Sequence, residues 1–169
     1  VLAFPDPTWL IERLFPTRAI TVLYGPPGHG KSFVALDWAF HIATGQPWQG
    51  LSVQRGPVIY IAAEGRGGIS QRIDAWQTYY RQPDPPVYFG LQQLNMVEQE
   101  SQTLIDACAE FVLDVDTGPH DLSPSLIVID TLSRCFGAGD EDKAVDMGQF
   151  IQGVDVLRRE LNATILIVH

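Results

Sequence analysis

The stretch Ile20-Thr21-Val22-Leu23-Tyr24-Gly25-Pro26-Pro27-Gly28-His29-Gly30-Lys31-Ser32 decides the fold. Its first five residues are rich in β-branched and aromatic side chains, the composition of a buried strand. Gly25 to Gly30 then reads as a turn, since three glycines and two prolines interrupt regular structure. From Lys31 to Ala43 the apolar residues Phe33, Leu36, Trp38, Phe40 and Ile42 cover a helix almost all round. A helix of that kind is predicted to be buried. Gly45-Gln46-Pro47-Trp48-Gln49-Gly50 breaks it.

Outward from this stretch the alternation continues. Pro57 to Ala63 reads as a second strand, followed by Ile69, Ile73, Trp76 and Tyr80 at helical spacing. Gln82-Pro83-Asp84-Pro85-Pro86 is a stiff linker into the short apolar run Val87-Tyr88-Phe89. Leu104, Cys108, Phe111 and Val112 mark a further helix stripe, and Asp116 to Pro124 a polar loop. Leu126-Ile127-Val128-Ile129 is apolar without alternation, as in a strand covered on both faces. Met147, Phe150, Ile151, Val154, Leu157 and Leu161 form the clearest amphipathic helix, and Thr164 to Val168 a last strand that runs into His169. The pattern predicts an α/β fold with a mainly parallel sheet flanked by helices on both faces. One domain is expected over residues 1–169, with 1–19 as a lead-in and 20–169 as the core. A sheet that stops on a strand leads us to expect further strands beyond His169.

The chain has 169 residues, 46% hydrophobic and 18% charged, a soluble globular composition. No apolar run approaches the roughly 20 residues that cross a bilayer. The opening residues lack the basic-then-apolar order of a signal peptide, so a cytoplasmic location is expected. Eleven basic residues against twenty acidic ones give a formal charge of −9. That argues against a broad basic face for duplex DNA and leaves room for a few Arg contacts to a single strand. Cys108 and Cys135 lack metal-ligand spacing and are expected as small buried residues.

Gly25-Pro26-Pro27-Gly28-His29-Gly30-Lys31-Ser32 fits the phosphate-loop pattern G-x-x-x-x-G-K-[ST]. A chance match in a chain of this size is on the order of 1% at ordinary glycine usage, and the strand–loop–helix setting lowers it further. Glycines let backbone N–H groups turn inward onto phosphates, and the helix that follows adds its positive end. The nucleotide-binding set is Gly25, Gly28, His29 and Gly30, then Lys31, Ser32 and Phe33; at His29 only the backbone need take part. Lys31 would reach the β- and γ-phosphates, and the Ser32 hydroxyl would bind Mg²⁺. Asp130 ends the apolar strand 126–129, at the sheet end where ligands sit in open parallel sheets, and is the second expected Mg²⁺ residue. Glu64 follows the second strand and is placed for a general base that activates water.

Four segments in this order carry a resemblance: Gly25 to Ser32; Ala62-Ala63-Glu64-Gly65 with Ile69-Ser70-Gln71-Arg72; Ile129-Asp130-Thr131-Leu132-Ser133-Arg134; and Ile165-Leu166-Ile167-Val168-His169. Together they resemble the RepA-like branch of RecA-fold ATPases, whose best-known members are hexameric replicative helicases. The resemblance implies a RecA-like P-loop core that uses ATP and Mg²⁺, assembles as a homo-oligomer, a hexameric ring, and acts on single-stranded DNA. It implies Glu64 as catalytic base, with Lys31, Asp130, Arg72 and His169 completing the catalytic set and His169 reporting the γ-phosphate. It also implies an arginine finger beyond His169.

Other residues are less decided. Arg134 fits either a role at phosphate charge or a structural ion pair. Gly137-Ala138-Gly139-Asp140-Glu141-Asp142 is better read as a solvated acidic loop than as a metal site, and Lys143 within it as a solvated charge. Tyr24 and Trp48 could flank a nucleotide base, with core packing the better reading. Besides the DNA motor, three classes stay open: a recombination, annealing or regulatory ATPase without unwinding; a P-loop kinase, disfavoured by the water-activating carboxylate; and a nucleotide-binding scaffold, disfavoured by the presence of Lys31, Ser32, Glu64 and Asp130 together.

Overall fold

A computed structural model describes residues 6–63, 66–82, 85, 87–90, 106, 123–136 and 140–169. A short antiparallel pair, β1 (Trp9–Ile11) and β2 (Phe15–Pro16), precedes the sheet. The elements that follow are β3 (Ile20–Leu23), α1 (Lys31–Thr44), β4 (Val58–Ala62), α2 (Arg66–Tyr80) and β5 (Val87–Gly90). They are joined by β6 (Leu126–Asp130), α3 (Leu132–Cys135), α4 (Ala144–Glu160) and β7 (Thr164–Val168). The five long strands form one parallel sheet in the order β3-β7-β6-β4-β5. β7 thus lies between the strand that opens the phosphate loop and the strand that ends in Asp130.

β4, β6 and β7 are buried along their whole length, which is why their sequences do not alternate in polarity. The period of two survives in which face each residue serves. Tyr60, Leu126, Val128 and Leu166 join α1 and α2 in one core. Ile59, Ile127, Ile129 and Ile165 join α3 and α4 in the other. This is the α/β, RecA-like arrangement expected from the sequence, with helices on both faces of a parallel sheet.

Gly45 adopts φ 74° after the last turn of α1, and its N–H closes on the His41 carbonyl at 2.8 Å. A residue with a Cβ is strained in that conformation, so glycine stops the helix here. Two apolar positions depart from the expected burial. Phe33 is exposed, because the first turn of α1 faces a cavity rather than the core. Ile151 is also exposed, while Phe150, Val154 and Leu157 carry the buried stripe of α4. The 1–19 segment contributes Leu10, Ile11 and Phe15 to the α1 core, with the Phe15 ring edge-on to Trp38 at 4.8 Å. Cys135 is buried as expected. Cys108, its helix stripe and residues 116–122 lie outside the described residues.

Candidate functional site

The carboxyl ends of β3, β6 and β7 meet at one end of the sheet. There β7 and β3 remain paired past their last residues: His169 N–H donates to the Leu23 carbonyl at 2.9 Å, and Gly25 N–H donates to the His169 carbonyl at 3.1 Å. The first glycine of the phosphate loop is therefore bonded to His169 through the backbone. Gly28 and Gly30 take φ of 78° and 77°, and a Cβ on either would meet no atom within 4 Å. Glycine is required at these two positions for backbone conformation, not for space. Gly30 caps α1, and the first turn of α1 contains no acidic residue, so the positive helix end opens onto the loop uncancelled.

The Lys31 ammonium donates to the Gly25 carbonyl at 2.6 Å and to the Pro26 carbonyl at 3.0 Å, folding back along the loop. Ser32 Oγ donates to Asp130 Oδ1 at 3.1 Å. Asp130 is 6% exposed, and its other oxygen, Oδ2, accepts the Tyr60 hydroxyl at 2.6 Å. Burial, followed by the charge of Asp130 and this hydrogen bond, pushes the Tyr60 phenol far above its ordinary range, so the hydroxyl stays a donor. The Ala63 N–H donates to the Asp130 carbonyl at 2.8 Å, which ties the residue before Glu64 to the end of β6.

A cavity of about 680 Å³ opens over the loop. Gly25, Gly28, Gly30, Lys31, Ser32 and Phe33 line it from the loop and α1, Arg72 from α2, Thr131 and Ser133 from the end of β6 and α3, and Tyr24 and His169 from the sheet edge. The Arg72 guanidinium lies 4.5 Å from the centroid of the exposed Phe33 ring. A Cβ on Gly68 would come within 3.8 Å of the Arg72 side chain, so the guanidinium lies beside an α2 backbone free of side-chain bulk.

The structure thus gathers Gly25, Gly28, Gly30, Lys31, Ser32, Phe33, Arg72 and His169 around one cavity, with Asp130 directly behind Ser32. His29 turns back onto its own loop, its Nδ1 3.0 Å from the Pro27 carbonyl, and does not line the cavity. Glu64 lies outside the described residues. Tyr24 is exposed and tilted against His169 at 5.4 Å, on the cavity wall. Trp48 stands away from the cavity, against Trp38, with its Nε1–H donated to Asp37 at 2.8 Å. Arg134 is exposed on α3, and Lys143 pairs with Asp140 at 3.4 Å.

Two residues escaped the reading of the sequence. Tyr60 has the only hydroxyl in the β4 run and lies on the same sheet face as Asp130. Its parity with Asp130 across the β4–β6 register could have signalled it, had the strand pairing been known. Asp37 accepts Trp48 Nε1–H and Trp76 Nε1–H at 2.8 and 3.0 Å and lies 3.4 Å from His41 Nε2. This carboxylate fastens α1 to α2 and to the turn after α1.

Ser32 and Asp130 are hard oxygen donors held 3.1 Å apart, a donor set that suits Mg²⁺ completed by phosphate oxygens. Among the described residues, no group of three or more His, Cys, Asp or Glu could hold a metal without such a ligand. The sequence matches the family model described as AAA domain over residues 3–169. No curated protein matches it.

Proposed function

This chain belongs to the AAA domain family and is an ATPase of the P-loop type, and from that premise we propose that it hydrolyses Mg·ATP at a subunit interface to act on single-stranded DNA. The observation that supports this reading best is the meeting of Lys31, Ser32 and Asp130 at a loop whose glycines and helix end are arranged for phosphate. The DNA role, the hexameric ring and the RepA-like branch rest on the resemblance of the four sequence segments. The proposed unit is a single ATPase domain over 1–169. Among the described residues no helix is long and apolar enough to cross a membrane, and the proposed compartment is the cytoplasm.

In this mechanism the Gly28–Gly30 backbone and the first turn of α1 receive the phosphates. Lys31 exchanges the Gly25 and Pro26 carbonyls for phosphate oxygens. Ser32 and Asp130 would hold Mg²⁺, which would supply neutralisation of phosphate charge. Glu64 takes the proton of the attacking water. Arg72, at the same cavity, stabilises charge that develops on the transferred phosphoryl group. His169, bonded to Gly25 through the backbone, passes the state of the loop to β7.

The test is Mg²⁺-dependent ATP hydrolysis with and without single-stranded DNA, with Glu64→Gln as the control. Hydrolysis that rises several-fold with DNA, and collapses in Glu64→Gln while nucleotide still binds, supports the proposal. ATP binding with no response to DNA removes the nucleic-acid role and leaves the ATP site.

A further inference from the structure

The carboxylate of Asp130 is almost wholly buried, and a buried charge is tolerated only where its oxygens are matched by donors. Its two oxygens have different partners. Oδ1 faces Ser32 at the cavity, and Oδ2 faces Tyr60 in the core behind it. A partial turn of the carboxylate plane would take an oxygen off each partner, and the Tyr60 hydroxyl at 2.6 Å opposes that turn. Tyr60 is itself fixed: it is 1% exposed, and its ring packs against Phe89 of β5 at 5.6 Å. The Ser32 hydroxyl can turn its lone pairs to a metal. Tyr60 is not among the residues that line the cavity, so its bond can persist when the cavity fills.

From this arrangement we propose that Tyr60 is a positioning residue for Mg²⁺: its hydroxyl holds Asp130 so that a single oxygen, Oδ1, is presented beside Ser32. The inference rests on the ATPase reading above and deepens its metal site. Outer partners that orient a metal-binding side chain typically change metal affinity by about 10–100-fold when removed. β4 carries Tyr60 and ends at Ala62, two positions before Glu64 in the sequence.

The experiment uses the chain with a fluorescent ATP analogue, titrated with Mg²⁺, in the unaltered protein, Tyr60→Phe, Asp130→Asn and the double variant. Tyr60→Phe keeps the ring and removes only the donor. The expected result is a half-saturating Mg²⁺ concentration raised about tenfold in Tyr60→Phe, with analogue affinity in the absence of metal unchanged. The double variant should match Asp130→Asn alone, because Tyr60 acts through that carboxylate. Phe89→Leu, which disturbs the packing around Tyr60 but keeps its hydroxyl, should leave the Mg²⁺ requirement within about twofold of the unaltered protein. A Mg²⁺ requirement unchanged in Tyr60→Phe, or raised equally in Phe89→Leu, overturns the role of Tyr60 and leaves the ATPase reading standing. An unaltered protein whose analogue binding ignores Mg²⁺ overturns both. A measurement on the unaltered chain covers the case in which Tyr60→Phe fails to fold. The buried Tyr60 hydroxyl proton is expected to give an NMR resonance that shifts with Mg²⁺ plus nucleotide and not with nucleotide alone; a resonance indifferent to the metal overturns the proposal.

Discussion

Arg72 lies over the ring of Phe33, and this contact is the first of three rungs between α1 and α2. Asp37 accepts the Trp76 indole N–H one turn further on, and His41 meets the Tyr80 ring edge-on at 4.9 Å after another turn. Each rung advances four residues on both helices, so the two run side by side in the same direction. The polar rung at Asp37 and the aromatic rung at His41 anchor the pair, and the first rung projects a cation into the cavity. Phe33→Ala removes the face on which Arg72 rests. We expect a stability change under about 1 kcal/mol in urea unfolding, since an exposed cation–π contact is worth little more. The turnover number of ATP hydrolysis should fall several-fold, as Arg72 loses its seat.

Asp37→Asn should cost about 1–3 kcal/mol of stability, read from urea unfolding. An amide offers one acceptor oxygen where the carboxylate offers two, and its NH₂ group would face the Trp48 or Trp76 N–H as donor against donor.

The same cluster sets a pH dependence. Burial works against the charged form of His41, but the Asp37 carboxylate 3.4 Å away and the hydrogen bond to the Gln46 carbonyl prevail and raise its pKa above the ordinary 6.5. A raised folded pKa stabilises the protein fully below the unfolded value and loses that contribution as pH rises through the folded one. The urea midpoint should therefore decline as pH increases from about 6.5 through the raised value. For Asp37, burial opposes ionisation, yet the neighbouring His41 and the hydrogen bond from Trp48 prevail and lower its pKa below 3.8. Its contribution is present above 3.8 and fades as pH falls through the lowered value. His41→Phe should flatten the decline on the alkaline side, checked by urea midpoints across pH 6 to 9 in about half-unit steps.

Gly30→Ala places a Cβ at φ 77° with open space around it. The cost is backbone strain alone, about 1–2 kcal/mol. Because the strain is relieved by reshaping the loop, analogue binding should weaken more than the unfolding midpoint shifts. The pair of measurements separates this outcome from a general loss of folding.

Lys31→Met should abolish hydrolysis and leave the unfolding midpoint within about 0.5 kcal/mol of the unaltered protein. Among the described residues the Lys31 ammonium bonds only to loop carbonyls, which water can satisfy in its absence.

The phosphate loop was legible because its signal is local: a strand, spaced glycines and a helix within one stretch. The end of β6 was legible because a strand buried on both faces writes a continuous apolar run, and Asp130 interrupts it. Tyr60 was not, since its role depends on β4 lying beside β6, an order that no single segment encodes. Asp37 reads as an ordinary charge on an apolar helix, because its donors come from 11 and 39 residues away. Phe33 was expected inside because periodicity identifies an apolar face and not the point where the core beneath it gives way to a cavity. β1 and β2, of three and two residues, are too short to leave a pattern.

Ser32 and Asp130 touch although 98 positions separate them, and the strands that carry their segments never pair with each other. β7, which follows both in the chain, fills the gap between them. A growing chain therefore cannot bring the two residues to their working distance until 164–168 have emerged and slotted into the middle of the sheet. Nucleotide that binds there selects a sheet in which β7 is in place, and at about 100 times its dissociation constant would hold that state by about 2.7 kcal/mol. ATP is on this view a ligand for the assembled sheet as well as a fuel, and a chain still lacking β7 does not offer it the Ser32–Asp130 pair.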